Sequence, residues 1–329
     1  MSHELTTRAD GTVEFAYLQA DGAPWHGLGN PMQAGQSIDD WRVAAGMDWR
    51  IQRSKVRYAV ERTGDSDNFL ELPDQHVLFR SDSKAALGVV SDRYQVVQPG
   101  EVLEFFRDIA KAGGLELSAA GTIYGGRRFW ATAKIGEAAP TSIVDKIGGF
   151  LLISTSADGS LATEVRLTSI RVVCKNTLQF AREDAKPALK VSHRSVFDAD
   201  AVKAQMGLNT AAWDVFRHNL VRLANVQVQP DQAEDLVAEL FANSTADAAK
   251  DKARETAGYK KVLALFNGQG MGAMLDGVYG TANGVLQAVT EYADHHIRAR
   301  SDENRFVSSQ WGTGADLKAR AWDQLLALA

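Results

Sequence analysis

The spacing of apolar residues changes period near residue 197, and that change limits the folds open to this chain. Ahead of it, short apolar runs alternate with polar residues and are broken by glycine-containing turns, the period-two signature of half-buried strands. Beyond it, Val202, Met206, Trp213, Phe216, Leu220 and Leu223 fall on one helical stripe, and Leu236, Val237, Leu240 and Phe241 on another. Val285, Val289, Tyr292 and His296 mark a further helix, and Leu317, Ala321, Leu325 and Leu328 the last. There is no internal repeat. The expected class is therefore α+β: a domain over residues 1–197 with a basic central antiparallel sheet in β-β-β-α order, then a mainly helical region over 198–329.

Local chemistry places the elements. Residues 1–36 are rich in glycine and small polar residues and read as ordered loop, with Trp25 plugged into a core. Ser37 followed three residues later by Asp40 is an acidic capping box opening a helix with Ile38, Trp41, Val43 and Ala45 on its apolar face. Residues 49–60 alternate as a strand, and 76–80 and 86–90 read as two paired strands around Ser81, Asp82 and Ser83. Pro99 opens a helix carrying Val102, Phe105, Phe106 and Ile109. Four strands follow, at 115–120, 127–135, 149–155 and 162–173. Gly125-Gly126 and Asp158-Gly159-Ser160 form turns between them. Asn176 and Thr177 then read as the cap of a short helix over 178–183.

With 45% hydrophobic and 23% charged residues the chain has ordinary globular usage. No apolar run reaches the 18 residues a membrane-spanning helix needs, and Met1 to Leu5 lacks the basic and apolar regions of a signal peptide. The single cysteine, Cys174, allows no internal disulfide, so a reducing, cytoplasmic compartment is expected. Within Ile170-Arg171-Val172-Val173 that thiol reads as a packing residue.

Charge is unevenly spread. The whole chain carries −5, yet residues 119–197 hold eleven bases and six acids, and residues 50–57 add Arg50, Arg53, Lys55 and Arg57 with no acid. Segment 231–256 is the reverse, with seven acids and three bases. A basic sheet interleaved with aromatics suits a nucleic-acid backbone and its bases. The same residues also serve to keep sheet edges from aggregating. Phe129 and Trp130 are neighbours on one strand and face opposite sides, so at least one of them is core.

Catalytic signatures are absent: no Gly-x-Ser-x-Gly, no phosphate-loop Lys-Ser/Thr, no His-Glu-x-x-His and no Cys-x-x-Cys. Glu291 and His295, four apart on one helix with Asp294 between them, have the spacing of a metal pair, which His26 and His193 would complete in space. The alternative is a helix end where histidine suits the macrodipole. Arg171 and Lys175 beside the Asn176-Thr177 cap are placed as a phosphate site would be.

Several segments together resemble the uncharacterised DUF932 phage/plasmid-like proteins. They are Trp25-His26-Gly27-Leu28-Gly29, the run from Leu87 to Pro99, Gly125-Gly126-Arg127-Arg128, Asp158-Gly159-Ser160, the run from Arg171 to Leu178, the run from Asn283 to Tyr292, and Gly312 to Ala321. The resemblance covers nearly the whole chain in order. It implies a protein of phages, prophages or plasmids and brings no catalytic residues with it. At fold level, the β-β-β-α order looks like the core of Rad52-type single-strand annealing proteins, which implies homo-oligomers holding single-stranded DNA in a basic groove.

The leading expectation is an ATP-independent protein that binds or anneals single-stranded DNA, without cofactor, and the sequence leans away from an enzyme without deciding the point. Arg127, Arg128, Arg166, Arg171 and Lys175 would meet phosphates, and Tyr124 or Trp130 would stack on bases. Two alternatives stay open. One is a metal-dependent hydrolase or nuclease using Glu291, Asp294 and His295. The other is a non-catalytic regulator or anti-defence protein that binds a host protein.

Overall fold

Alternation in the first half and helical stripes in the second are realised as two layers. A computed structural model describes residues 6–8, 10–21, 28–63, 66–113, 116–138, 147–171, 177–180, 188–193, 210–242 and 246–329. The protein is a mixed α+β chain, sheet-rich in its N-terminal part and helical in its C-terminal part.

The main sheet is built from β1 (Phe15–Leu18), β2 (Asn30–Met32), β6 (Glu116–Ile123), β7 (Arg128–Ala138), β8 (Ile147–Ser156), β9 (Thr163–Arg171), β10 (Thr177–Phe180) and β11 (Ala188–Val191). Its order is β10-β9-β8-β7-β6-β1-β2, and β11 pairs with β9 as well. Among the described strands β1 and β2 alone run parallel, and the other pairings are antiparallel. A second sheet, β3 (Ile51–Thr63), β4 (Ser66–Arg80) and β5 (Ala86–Ser91), is a meander.

Helices α1 (Ile38–Ala44) and α2 (Pro99–Gly113) pack on each other and on the main sheet, α1 on β1 and β2 and α2 on β6 and β7. The expected capping box is present: Ser37 Oγ accepts from the Asp40 N–H and the Asp40 carboxylate accepts from the Ser37 N–H at 3.0 Å. Trp41, Phe105, Phe106, Leu78, Phe129 and Ile153 close one apolar core on that face of the main sheet. The C-terminal helices are α3 (Thr210–Asn225), α4 (Pro230–Phe241), α5 (Asp247–Arg254), α6 (Ala257–Ala264), α7 (Ala282–Glu291), α8 (Asp302–Trp311) and α9 (Thr313–Leu326). They close a second core around Phe216, Leu220, Val237, Val285, Val289 and Leu325. The Trp213 ring of α3 lies so close to Gly149 that a Cβ there would sit 2.7 Å from it. None of the described helices is long and apolar enough to cross a membrane.

Two expectations are corrected. The segment read as a short helix after Asn176 is strand β10, whose residues Thr177 to Phe180 pair with Leu167 to Ile170 of β9. Leu178 and Phe180 alternate with polar neighbours, and the open edge of β9 supplies hydrogen-bond partners that an isolated helical turn would lack. The N-terminal segment read as loop contributes β1 and β2, which extend the sheet beyond β6.

A charged cluster is buried where β1 enters this sheet. The Glu14 carboxylate, 1% exposed, accepts from Arg80 Nη2 at 2.6 Å and Nη1 at 3.1 Å, from Arg8 Nε at 3.3 Å and from the Thr122 hydroxyl. Arg80 also donates to Asp82 at 2.8 Å and lies 4.3 Å from the centre of the Trp49 ring. Its hydrogen bonds hold the Asp82 carboxyl down at about 2, from 3.8. A carboxylate depressed in the fold contributes stability that is present above its unfolded value and disappears as pH falls through the folded one. The melting temperatures of wild type and Asp82→Asn should therefore converge on acidification from about pH 5 to about pH 2. A gap that stays constant over that window would refute the coupling. The effect is small, because Asp82 is 41% exposed.

Candidate nucleic-acid interface

The hairpin turn between β6 and β7 is left-handed at three consecutive residues: Tyr124 at φ 57°, Gly125 at 66° and Gly126 at 91°. Glycine adopts this backbone freely, whereas tyrosine is strained in it. At Gly126 a side chain is excluded twice over, since a Cβ would sit 2.6 Å from the Trp49 ring and 3.0 Å from Arg80 Nη1. The buried Glu14–Arg80 cluster thus supports the turn from below, and Arg80 Nη1 also donates to the Gly125 carbonyl at 3.2 Å.

The strained Tyr124 is held from the side. Its hydroxyl donates to Asn304 Oδ1 of α8 at 2.6 Å. The Arg128 guanidinium lies 5.5 Å from the Tyr124 ring centre and donates to Ser160 Oγ at 3.1 and 3.2 Å. Ser160 belongs to the β8–β9 turn, whose Ala157 N–H donates to the Arg127 carbonyl at 2.7 Å. Both turns therefore share one end of the sheet. Arg127 is exposed there and Arg128 half-buried. Among the described residues neither is ion-paired with a carboxylate.

The other expected contact residues lie elsewhere. Trp130 points to the helical layer, its ring 5.8 Å from Phe15 and 5.7 Å from Phe306, while Phe129 is fully buried on the opposite face. Arg166 is 6% exposed, hydrogen-bonded to Glu164 and donating from Nη1 to the Gln310 carbonyl of α8 at 2.8 Å. Arg171 ends β9 opposite Ile147, at the far end of the sheet from Arg128 and Ser156. Lys175 and Cys174 lie outside the described residues. Of the other central bases, Lys134 is paired with Asp21 at 3.1 Å.

The alternative metal residues diverge. Glu291 is 3% exposed; its Oε2 accepts from the Met271 N–H at 2.9 Å, and its Oε1 lies 3.7 Å from His296 Nε2, so the neighbouring histidine is His296. Burial first, then the Lys261 cation, hold the His296 imidazole below its ordinary range against the pull of Glu291. Asp294 instead pairs with Lys318 at 2.7 Å. Among the described residues no three His, Cys, Asp or Glu side chains are grouped to hold a metal. His193 is stacked on Tyr94 at 4.5 Å, with its ring nitrogens 3.1 Å from the Gln95 carbonyl and 3.0 Å from that of Leu161. It joins three segments of the fold. His26 lies outside the described residues.

The sequence reading missed Asn304, Ser160 and the Glu14–Arg80 support. Ser160 carried a local signal as part of a turn motif. Asn304 and Glu14 carried none, because each acts across more than a hundred residues of chain.

The family described as domain of unknown function (DUF932) matches residues 86–311, more than half of the chain. The chain belongs to the DUF932 family. Within the DUF932 match lie both turns, Arg166 and Asn304, whereas Glu14, Arg80 and the β3–β4 hairpin precede it. No curated protein and no solved structure matches the chain.

Proposed function

We propose that this DUF932 protein binds single-stranded nucleic acid at the end of the sheet formed by the β6–β7 and β8–β9 turns. The observation that carries the reading is the pair Arg127 and Arg128, without carboxylate partners among the described residues, on a turn braced by Arg80 and Asn304. Two such cations on a rigid base fit consecutive phosphates, and the half-buried Tyr124 ring beside Arg128 offers a face to a base. Annealing of complementary strands calls for several copies along one strand, so self-association belongs to the same reading.

A salt-dependent titration of a fluorescent single-stranded oligonucleotide tests it. Affinity should fall with salt, and Arg127→Ala and Arg128→Ala should each lower the slope of log K against log salt by roughly 0.7. Arg171→Ala, at the far end of the sheet, should leave the slope as it is. The reading fails if nothing binds at low salt, or if the two turn variants keep the wild-type slope.

A further inference from the structure

Beyond the bulge between Lys55 and Arg57, the β3–β4 hairpin leaves the body of the protein. β5 pairs with residues 75–79 of β4, so among the described residues the two strands from Arg57 outward pair only with each other. Residues 57–60 and 69–74 are all exposed. Tyr58 lies opposite Leu70 on one face and Ala59 opposite Phe69 on the other. Five large apolar side chains stand in solvent on this ribbon: Phe69 at 54% exposure, Leu70 at 46%, Tyr58 at 45%, Val60 at 44% and Leu72 at 42%. A two-stranded ribbon alone is marginal in water. Apolar side chains gathered on one projecting element mark an interaction surface.

We infer that the ribbon is an arm that docks on a second copy of this chain, against the acidic surface of α4 and α5. Charge selects this occupant. Arg50 and Arg53, at the base of the arm, are exposed and without carboxylate partners among the described residues. Segment 231–256 holds seven acids and three bases, and its Asp231 and Glu234 are exposed and without cation partners among the described residues. Ala246 and Ala248, both exposed, add small apolar side chains at the opposite end of α5 from the Arg254–Asp235 pair. Charge also rejects the simpler geometry in which two β3 edges pair. That would crowd Arg50 and Arg53 of one copy against the same cations of the other, while Lys55 and Arg57 already share Glu71. Arm-to-helix contact joins unlike surfaces, so it repeats from copy to copy and closes into a ring or extends as a filament. The inference rests on the self-association part of the proposed function and is independent of its nucleic-acid part.

Light scattering on the full chain during gel filtration, at micromolar concentration and in low and high salt, is the test. Wild type should run as a multimer that dissociates in high salt. The triple variant Tyr58→Ser/Phe69→Ser/Leu70→Ser should run as a monomer, and in high salt, where wild type is dissociated too, it should melt at the wild-type temperature, because those side chains are exposed in the single chain. Arg53→Glu should raise the dissociation constant at least tenfold, and adding Glu234→Arg should restore it. A monomeric wild type, a triple variant that stays multimeric, or a charge swap that restores nothing would each overturn the inference. Oligonucleotide binding by the monomeric triple variant at low salt is read separately and bears only on Arg127 and Arg128.

Discussion

Glu14→Ala should lower the stability of the protein by about 3–5 kcal/mol, the usual loss when one partner of a buried ion pair is removed. The carboxylate is buried and accepts from Arg80, Arg8 and Thr122, so its removal leaves a guanidinium that is 4% exposed with Asp82 as its remaining anion. Asp82 itself is 41% exposed and screened by solvent. The damage should reach further than stability. Arg80 also holds the Gly125 carbonyl, so the Tyr124–Gly126 turn loses its support and oligonucleotide affinity should fall in the same variant. Glu14→Gln keeps the shape and part of the hydrogen bonding and should cost less. Urea denaturation read by tryptophan fluorescence measures the loss. A cost under about 1 kcal/mol would show that solvent already screens the cluster.

A similar loss is expected for Lys318→Ala in α9. Lys318 is 2% exposed and its ammonium lies 2.7 Å from Asp294, itself 7% exposed. Burial lowers the lysine pKa, and the attraction of Asp294 only partly offsets that. The pair therefore gives little net stability, yet removal of the cation takes from the buried Asp294 carboxylate the ammonium that donates to it, at a cost of about 3–5 kcal/mol. Replacing both partners by apolar residues, Lys318→Met with Asp294→Leu, should recover most of it. If the double variant is no more stable than Lys318→Ala, the account is wrong. Because the lysine pKa is depressed in the fold, the unfolded chain binds more protons between the folded and unfolded values. The contribution of Lys318 itself therefore rises with pH across that interval.

These buried charges are the part of the molecule least legible in its sequence. The Ser37–Asp40 cap, the Pro99 helix and the Gly125-Gly126 and Asp158-Gly159-Ser160 turns are local, and residues a few positions apart specify them. The strand at Thr177 to Phe180 was misread because Asn176 and Thr177 look like a helix cap, and because the edge of β9 that captures the segment is remote from it in sequence. Pro73 and the left-handed Asp74, φ 58°, interrupt the alternation of β4, so its 15-residue length was hidden. Among the residues of the proposed site, Arg127, Arg128 and Tyr124 stand together in the sequence because one turn carries them. Arg166 carries the same charge, but the arrival of α8 over β9 turns it into an interior group. Local pattern carries no trace of that arrival.

That arrival also has a consequence during synthesis. Arg166 emerges 144 residues ahead of the carbonyl that accepts its hydrogen bond, and Tyr124 emerges 180 ahead of Asn304. At cellular translation rates the half-finished sheet waits on the order of ten seconds, with Trp130 and the Glu164–Arg166 face uncovered. Completion is thus vectorial: the N-terminal layer is made first and sealed last. A chain stopped before residue 302 would leave that face open and prone to aggregation, however well its strands had paired.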